Sequence, residues 1–130
     1  AIGLEEACER ARMARDLGVD AVFVEAPESV AELEAIAAAV PDCTRVANMV
    51  EAGKTPLLTP AELHDLGFDL IVSPLSALFA YTKAVTESLA ILHDEGTLRG
   101  HLDRVVTFDQ FNELVDLDGH FRLEARYIQG

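Results

Sequence analysis

The stretch NMVEAGKTP, residues 48–56, brings an amide (Asn48), a carboxylate (Glu51) and a cation (Lys54) into nine positions. Its Gly53-Lys54-Thr55 reads at first as the end of a nucleotide phosphate loop, where backbone N–H groups and a lysine face the phosphates. That loop requires another glycine five residues before Gly53, and position 48 is Asn. Its Lys and Thr must also open a helix, whereas Pro56 follows almost at once and the next helix-start signal is Thr59. The spacing therefore argues against nucleotide chemistry.

A different chemistry fits the same residues. Glu25, Asn48 and Pro74 each follow a short apolar run, and in parallel α/β folds the functional groups gather at the carboxyl ends of such strands. Asn48 can offer two N–H donors to a carboxylate or enolate oxygen, and Glu25 can accept from a hydroxyl. The plain alternatives are a solvated strand end at Glu25 and a turn former at Asn48. Glu51 and Lys54 are either weaker loop ligands or a surface ion pair.

The elements that must position these groups alternate regularly. Leu4, Ala7, Ala11, Ala14 and Leu17 recur at helical spacing and Gly18 ends the pattern. AVFVEA then reads as a buried strand over about 20–25. Ser29 with Glu32 forms a capping box that opens a helix running to about Val40, and TRVANMV is the second strand, ending near Asn48. Thr59, Pro60 and Glu62 start a short helix that stops at Gly67, FDLIVSPL supplies the third strand, and a long helix runs from Ser76 to about Gly96. Strand starts near 20, 44 and 69 repeat every 24 to 25 residues, the mark of βαβ units on a parallel sheet. The remainder contains no strand-like run. Thr107 with Gln110 caps a further helix, so residues 97–130 read as two or three short helices extending the domain of residues 1–96.

Composition bounds the function. The chain of 130 residues is 50% hydrophobic, enough for a single domain with a core. Its 23 acidic and 10 basic residues give a formal net charge of −13, which argues against nucleic-acid or anionic-membrane binding. Cys8 and Cys43 have neither zinc nor disulfide-framework spacing, and His64, His93, His101 and His120 have no metal spacing. No apolar run approaches the ~18 residues of a membrane span, and a cytoplasmic location is expected.

FVEA, ANMVEAGKTPLLTPAEL, LIVSPLSALFAYTKA and TFDQFNELVDLD with LEARY resemble, in order, the C-terminal half of the isocitrate lyase and phosphoenolpyruvate mutase superfamily. The branch that resembles them most is that of methylisocitrate lyase, dimethylmalate lyase and petal death protein. The resemblance implies the C-terminal half of a (β/α)8 TIM barrel, about three parallel strands with their helices plus a C-terminal helical extension. It implies a Mg2+-dependent lyase that cleaves the C–C bond of a 2-hydroxy dicarboxylate through an enolate. Glu25 and Asn48 would bind substrate and Pro74 would line the pocket. Proline there leans towards lyases rather than oxaloacetate hydrolases, and Glu25 stands where phosphonate-forming mutases tend to carry His.

The same resemblance assigns the metal carboxylates and the loop whose Cys acts as general acid to a missing N-terminal half. Cys8 lies in an ordinary amphipathic helix and does not replace it. A complementary N-terminal half is therefore an expected partner, with a small carboxylate as substrate. A homotetramer is also expected, a dimer of dimers exchanging the last barrel helix. The 130 residues alone are expected to be inactive. Ala52 departs from the VEGGKTP pattern of relatives, at a position where a left-handed backbone would cost alanine about 1 kcal/mol.

Overall fold

β-branched and aromatic side chains at alternate positions require a sheet with two unlike faces, and the computed structural model, which describes residues 3–128, has that character. Three parallel strands, β1 (Ala21–Phe23), β2 (Thr44–Asn48) and β3 (Leu70–Val72), lie in the order β1-β2-β3. Val22 registers with Arg45, and Val46 lies between Phe23 and Leu70. The helices α1 (Leu4–Asp16), α2 (Val30–Ala39) and α3 (Pro60–Asp65) precede or connect the strands. All three pack on one sheet face: Cys8, Leu33, Ile36 and Leu63 meet Ala47 and Met49, while Ala11 meets Val22.

The opposite face carries no helix from this part of the chain. Phe23, Val46 and Leu70 form one row across it, with Phe23 45% and Leu70 50% exposed. A doubly covered parallel sheet would bury such a row. A sheet with helices on one face only, and apolar side chains on the other, is a segment of barrel wall.

Local chemistry sets the helix starts. Thr59 Oγ1 accepts the Glu62 N–H at 3.3 Å and Glu62 Oε2 accepts the Thr59 N–H at 2.7 Å, with Pro60 at the first helical position. The Glu62 carboxyl is held below its ordinary pKa, first by that backbone N–H. At α2 only half of the expected box forms: Ser29 Oγ accepts from Glu32 N–H at 3.2 Å, but the Glu32 carboxylate accepts from Glu28 N–H at 2.7 Å. The chain before Ser29 turns so that the amide one residue earlier is the one within reach.

The strands are shorter than their apolar runs. FDLIVSPL pairs only over Leu70–Val72. Phe68 instead enters the core and donates its N–H to Leu63 O at 2.9 Å, while Asp69 turns to Arg45. Asp69 Oδ2 accepts from the Arg45 backbone N–H at 2.9 Å and from Nε at 3.1 Å, which holds the Asp69 carboxyl below its usual range. A carboxyl with a depressed folded-state pKa stabilises the fold above its unfolded value of about 4, and that contribution is lost as pH falls through the folded value. Asp69→Asn is expected to lower the thermal midpoint near neutral pH and to converge with the parent in acid; a constant difference from pH 7 to pH 3 would refute the linkage.

The described chain forms two compact units, one up to Ala80 and one from Tyr81 onward. The helix α4 (Ser76–Glu95) spans the division. In the second unit a 3-10 turn (Leu102–Arg104) is followed by α5 (Phe108–Leu114) and α6 (Leu117–Tyr127), which pack on each other, so the tail is helical as its pattern predicts. Arg104 pairs with Glu87 at 3.3 Å, and the Thr107–Gln110 box caps α5.

Candidate functional site at the strand tips

β2 ends at Asn48, but β1 pairs only as far as Phe23, shorter than the run over about 20–25 that its apolar residues predict, so Glu25 lies two residues beyond the strand in the loop that follows it. Glu25 is exposed. Asn48 is half-buried, and its Oδ1 is enclosed without any donor among the described residues. An enclosed amide oxygen without a donor costs about 1 to 3 kcal/mol unless something else supplies one.

The loop after β2 is tied down at two points. Met49 N–H donates to Val72 O at 2.8 Å, and Glu51 Oε1 accepts from the Ser76 hydroxyl at the first residue of α4. The Ser76 hydroxyl, and after it the residue's own backbone N–H, hold the Glu51 carboxyl below its ordinary pKa. Its second oxygen, Oε2, is enclosed without a donor among the described residues. Pro74 lies exposed between the two tied residues Val72 and Ser76.

Lys54 is elsewhere. Its Nζ pairs with Glu28 Oε1 at 2.8 Å, with the side chains 71% and 61% exposed, so it joins the loops after β1 and β2 at the surface. The pair lowers the Glu28 pKa and raises that of Lys54. An ion pair between Glu51 and Lys54, one of the two sequence readings, is not what forms. Their charges find other partners because Glu51 turns inward to α4 and Lys54 outward to the neighbouring loop. Ser76 and Glu28 carried no sequence signal beyond a helix start and a loop acid. The one clue was that Ser76 follows Glu51 by 25 residues, one strand-helix repeat.

Ala52 has φ of 57°, so this turn keeps the left-handed backbone that favours glycine. Ala52→Gly is expected to raise stability by about 1 kcal/mol, read from denaturant midpoints. A lower midpoint would mean that the turn tolerates alanine without strain.

Among the described residues no group of three or more His, Cys, Asp or Glu side chains is gathered to hold a metal, and no helix is long and apolar enough to cross a membrane. At this end of the sheet stand an amide at the tip of β2 and an exposed carboxylate in the loop after β1.

No protein-family model matches the chain. It is 50% identical over 125 residues to the chloroplastic carboxyvinyl-carboxyphosphonate phosphorylmutase of Arabidopsis thaliana, covering 96% of this chain and 37% of that protein. It is 43% identical to the petal death protein of Dianthus caryophyllus, covering 96% and 39% of the two chains. With the 2,3-dimethylmalate lyase of Eubacterium barkeri it shares 38% identity over 98% of this chain and 44% of the relative. A crystal structure of 2,3-dimethylmalate lyase superposes with a TM-score of 0.85 at 30% identity, covering 98% and 44% of the chains. One of oxaloacetate acetylhydrolase with oxalate gives 0.86 at 28% identity, covering 98% and 43%. The chain thus spans about two fifths of the length of the relatives it matches. By sequence and by fold its relatives are members of the phosphoenolpyruvate mutase/isocitrate lyase superfamily, and the chain matches part of their TIM barrel.

Proposed function

We propose that this chain supplies substrate-binding strand tips to a lyase that splits the C–C bond of a 2-hydroxy dicarboxylate, methylisocitrate- or dimethylmalate-like. One observation carries the reading: β2 ends on Asn48, a half-buried amide whose Oδ1 has no donor among the described residues. The side-chain N–H groups of Asn48 donate to a substrate carboxylate. Glu25 accepts from a donor of the substrate, and Pro74 limits the pocket beside it.

In the retro-aldol step the 2-hydroxyl loses its proton, the C2–C3 bond breaks, and C2 becomes the carbonyl of a 2-oxo acid. The electron pair moves onto the other fragment as an enolate, which a general acid protonates. Asn48 holds the substrate arm through this charge shift. The described residues gather no group of three or more His, Cys, Asp or Glu side chains for the Mg2+ that the family resemblance implies, so the metal belongs with the rest of the barrel, as does the general acid. That complementary N-terminal part pairs the open edges of β1 and β3 and covers the row of Phe23, Val46 and Leu70. The barrel portion takes residues 1–96 and the helices of 97–130 extend it. Phe108 and Phe111, 79% and 51% exposed, support subunit contacts in a dimer of dimers that exchanges its last barrel helix, in the cytoplasm. Without its complement the piece is inactive.

The test is release of a 2-oxo acid from candidate 2-hydroxy dicarboxylates by the protein with its remaining sequence, with and without EDTA. No oxo acid from any of them refutes the lyase reading, and activity indifferent to EDTA refutes the metal. A second reading, phosphonate rearrangement, draws support from the name of the relative with 50% identity. Phosphorus NMR of the products separates it. Oxalate release would indicate oxaloacetate hydrolysis, the activity named for a structural neighbour.

A further inference from the structure

We propose that Glu51 is a positioning residue whose hydrogen bond from Ser76, together with the Met49–Val72 bond, clamps the turn containing Pro74 against the loop that follows Asn48. The inference rests on the lyase reading for its kinetic consequences and on geometry alone for the clamp. The geometry is specific. Met49 is the residue after Asn48 and Glu51 the third; their partners, Val72 and Ser76, stand two residues before and two residues after Pro74. The two bonds therefore bracket the proline from both sides. Proline has no N–H with which to anchor itself, so its turn must be held by its neighbours.

The loop is equally dependent on the tie. It turns through Ala52 in the left-handed region, with Gly53 N–H donating to Val50 O at 3.0 Å, and no regular element holds it. A Cβ at Gly53 would come within 3.0 Å of the Val50 carbonyl oxygen, so the turn is tight as well. Glu51 spends one oxygen on Ser76. Its other oxygen is enclosed and Lys54 is engaged with Glu28, so among the described residues no cation draws the carboxylate elsewhere. Acting through Ser76, Glu51 sets how far Pro74 stands from Asn48, and with it the width available to the substrate.

A double-mutant cycle in the protein with its remaining sequence tests this, using the 2-hydroxy dicarboxylate that gives oxo acid. Glu51→Ala and Ser76→Ala are each expected to raise KM about tenfold with kcat within threefold, and the double variant to be no worse than either single one. Glu51→Gln keeps an oxygen for Ser76 and is expected to stay within threefold of the parent KM. If Glu51→Gln is as damaging as Glu51→Ala, or Ser76→Ala is silent, or the two effects multiply to about 100-fold, Glu51 touches the substrate directly and the proposal fails. A second arm needs no substrate: hydrogen exchange of the unliganded protein. The Met49 amide is expected to exchange at least tenfold faster in Ser76→Ala, and unchanged exchange overturns the clamp. A parent without lyase activity would defeat the functional reading, and the exchange arm would still decide the clamp.

Discussion

Asn48→Ala is expected to lower kcat/KM for the 2-hydroxy dicarboxylate on the order of 10- to 100-fold, because a hydrogen bond to a charged group is worth about 1.5 to 3 kcal/mol. Asn48→Asp should cost more, about 1000-fold, since it sets a carboxylate against the substrate's own and replaces attraction by repulsion. The same substitutions separate binding from folding. Asn48 Oδ1 has no donor among the described residues, so Asn48→Ala removes an unsatisfied acceptor and should leave the denaturation midpoint unchanged or raise it. Activity lost at constant or higher stability is the signature of a binding residue. A variant that keeps its activity would make Asn48 a turn former at the end of β2, and the lyase reading would lose its main support.

Leu63→Ala should be the most damaging single truncation for the fold. Leu63 has 0% exposure and sits in α3, a helix of six residues that is too short to persist without packing. Its side chain joins Leu33, Ile36 and Phe68 in the layer between helices and sheet. Emptying that volume costs about 2 to 5 kcal/mol, a large part of the 5 to 15 kcal/mol that holds a typical domain. Urea denaturation of the protein with its remaining sequence measures the difference. Leu57→Ala is the control: Leu57 is 56% exposed, and the change should stay within about 0.5 kcal/mol. Equal losses at the two positions would mean that α3 is not part of the core.

Part of this was legible one residue at a time. Thr59 with Glu62, and Thr107 with Gln110, announce helix starts because a capping box spans only four residues and needs nothing from the rest of the chain. The repeat of about 25 residues between strand starts likewise announced parallel pairing, and the β1-β2-β3 order follows it. The strand limits were not legible in the same way. Phe68 and Asp69 look like strand residues, yet a core vacancy beside Leu63 takes one and Arg45 takes the other.

The candidate site divides along the same line. That Asn48 ends a strand was written in the sequence, because it closes an apolar run before a loop; Glu25 closes its run as well, yet β1 pairs only to Phe23 and leaves it two residues out in the loop. Which charges pair was not: Glu51 and Lys54 are three residues apart, yet they bind Ser76 and Glu28, 25 and 26 residues away in the chain. Nor could any pattern distinguish the bare face with Phe23, Val46 and Leu70 from a second buried face, since parallel strands are apolar on both sides. The sequence by itself determined where helices begin, that strands run parallel and that β2 ends at Asn48, all consequences of local backbone chemistry and spacing. Only the tertiary structure decided the partners of Glu51 and Lys54, the enclosure of Asn48 Oδ1 and the side left open, because these depend on where distant segments meet.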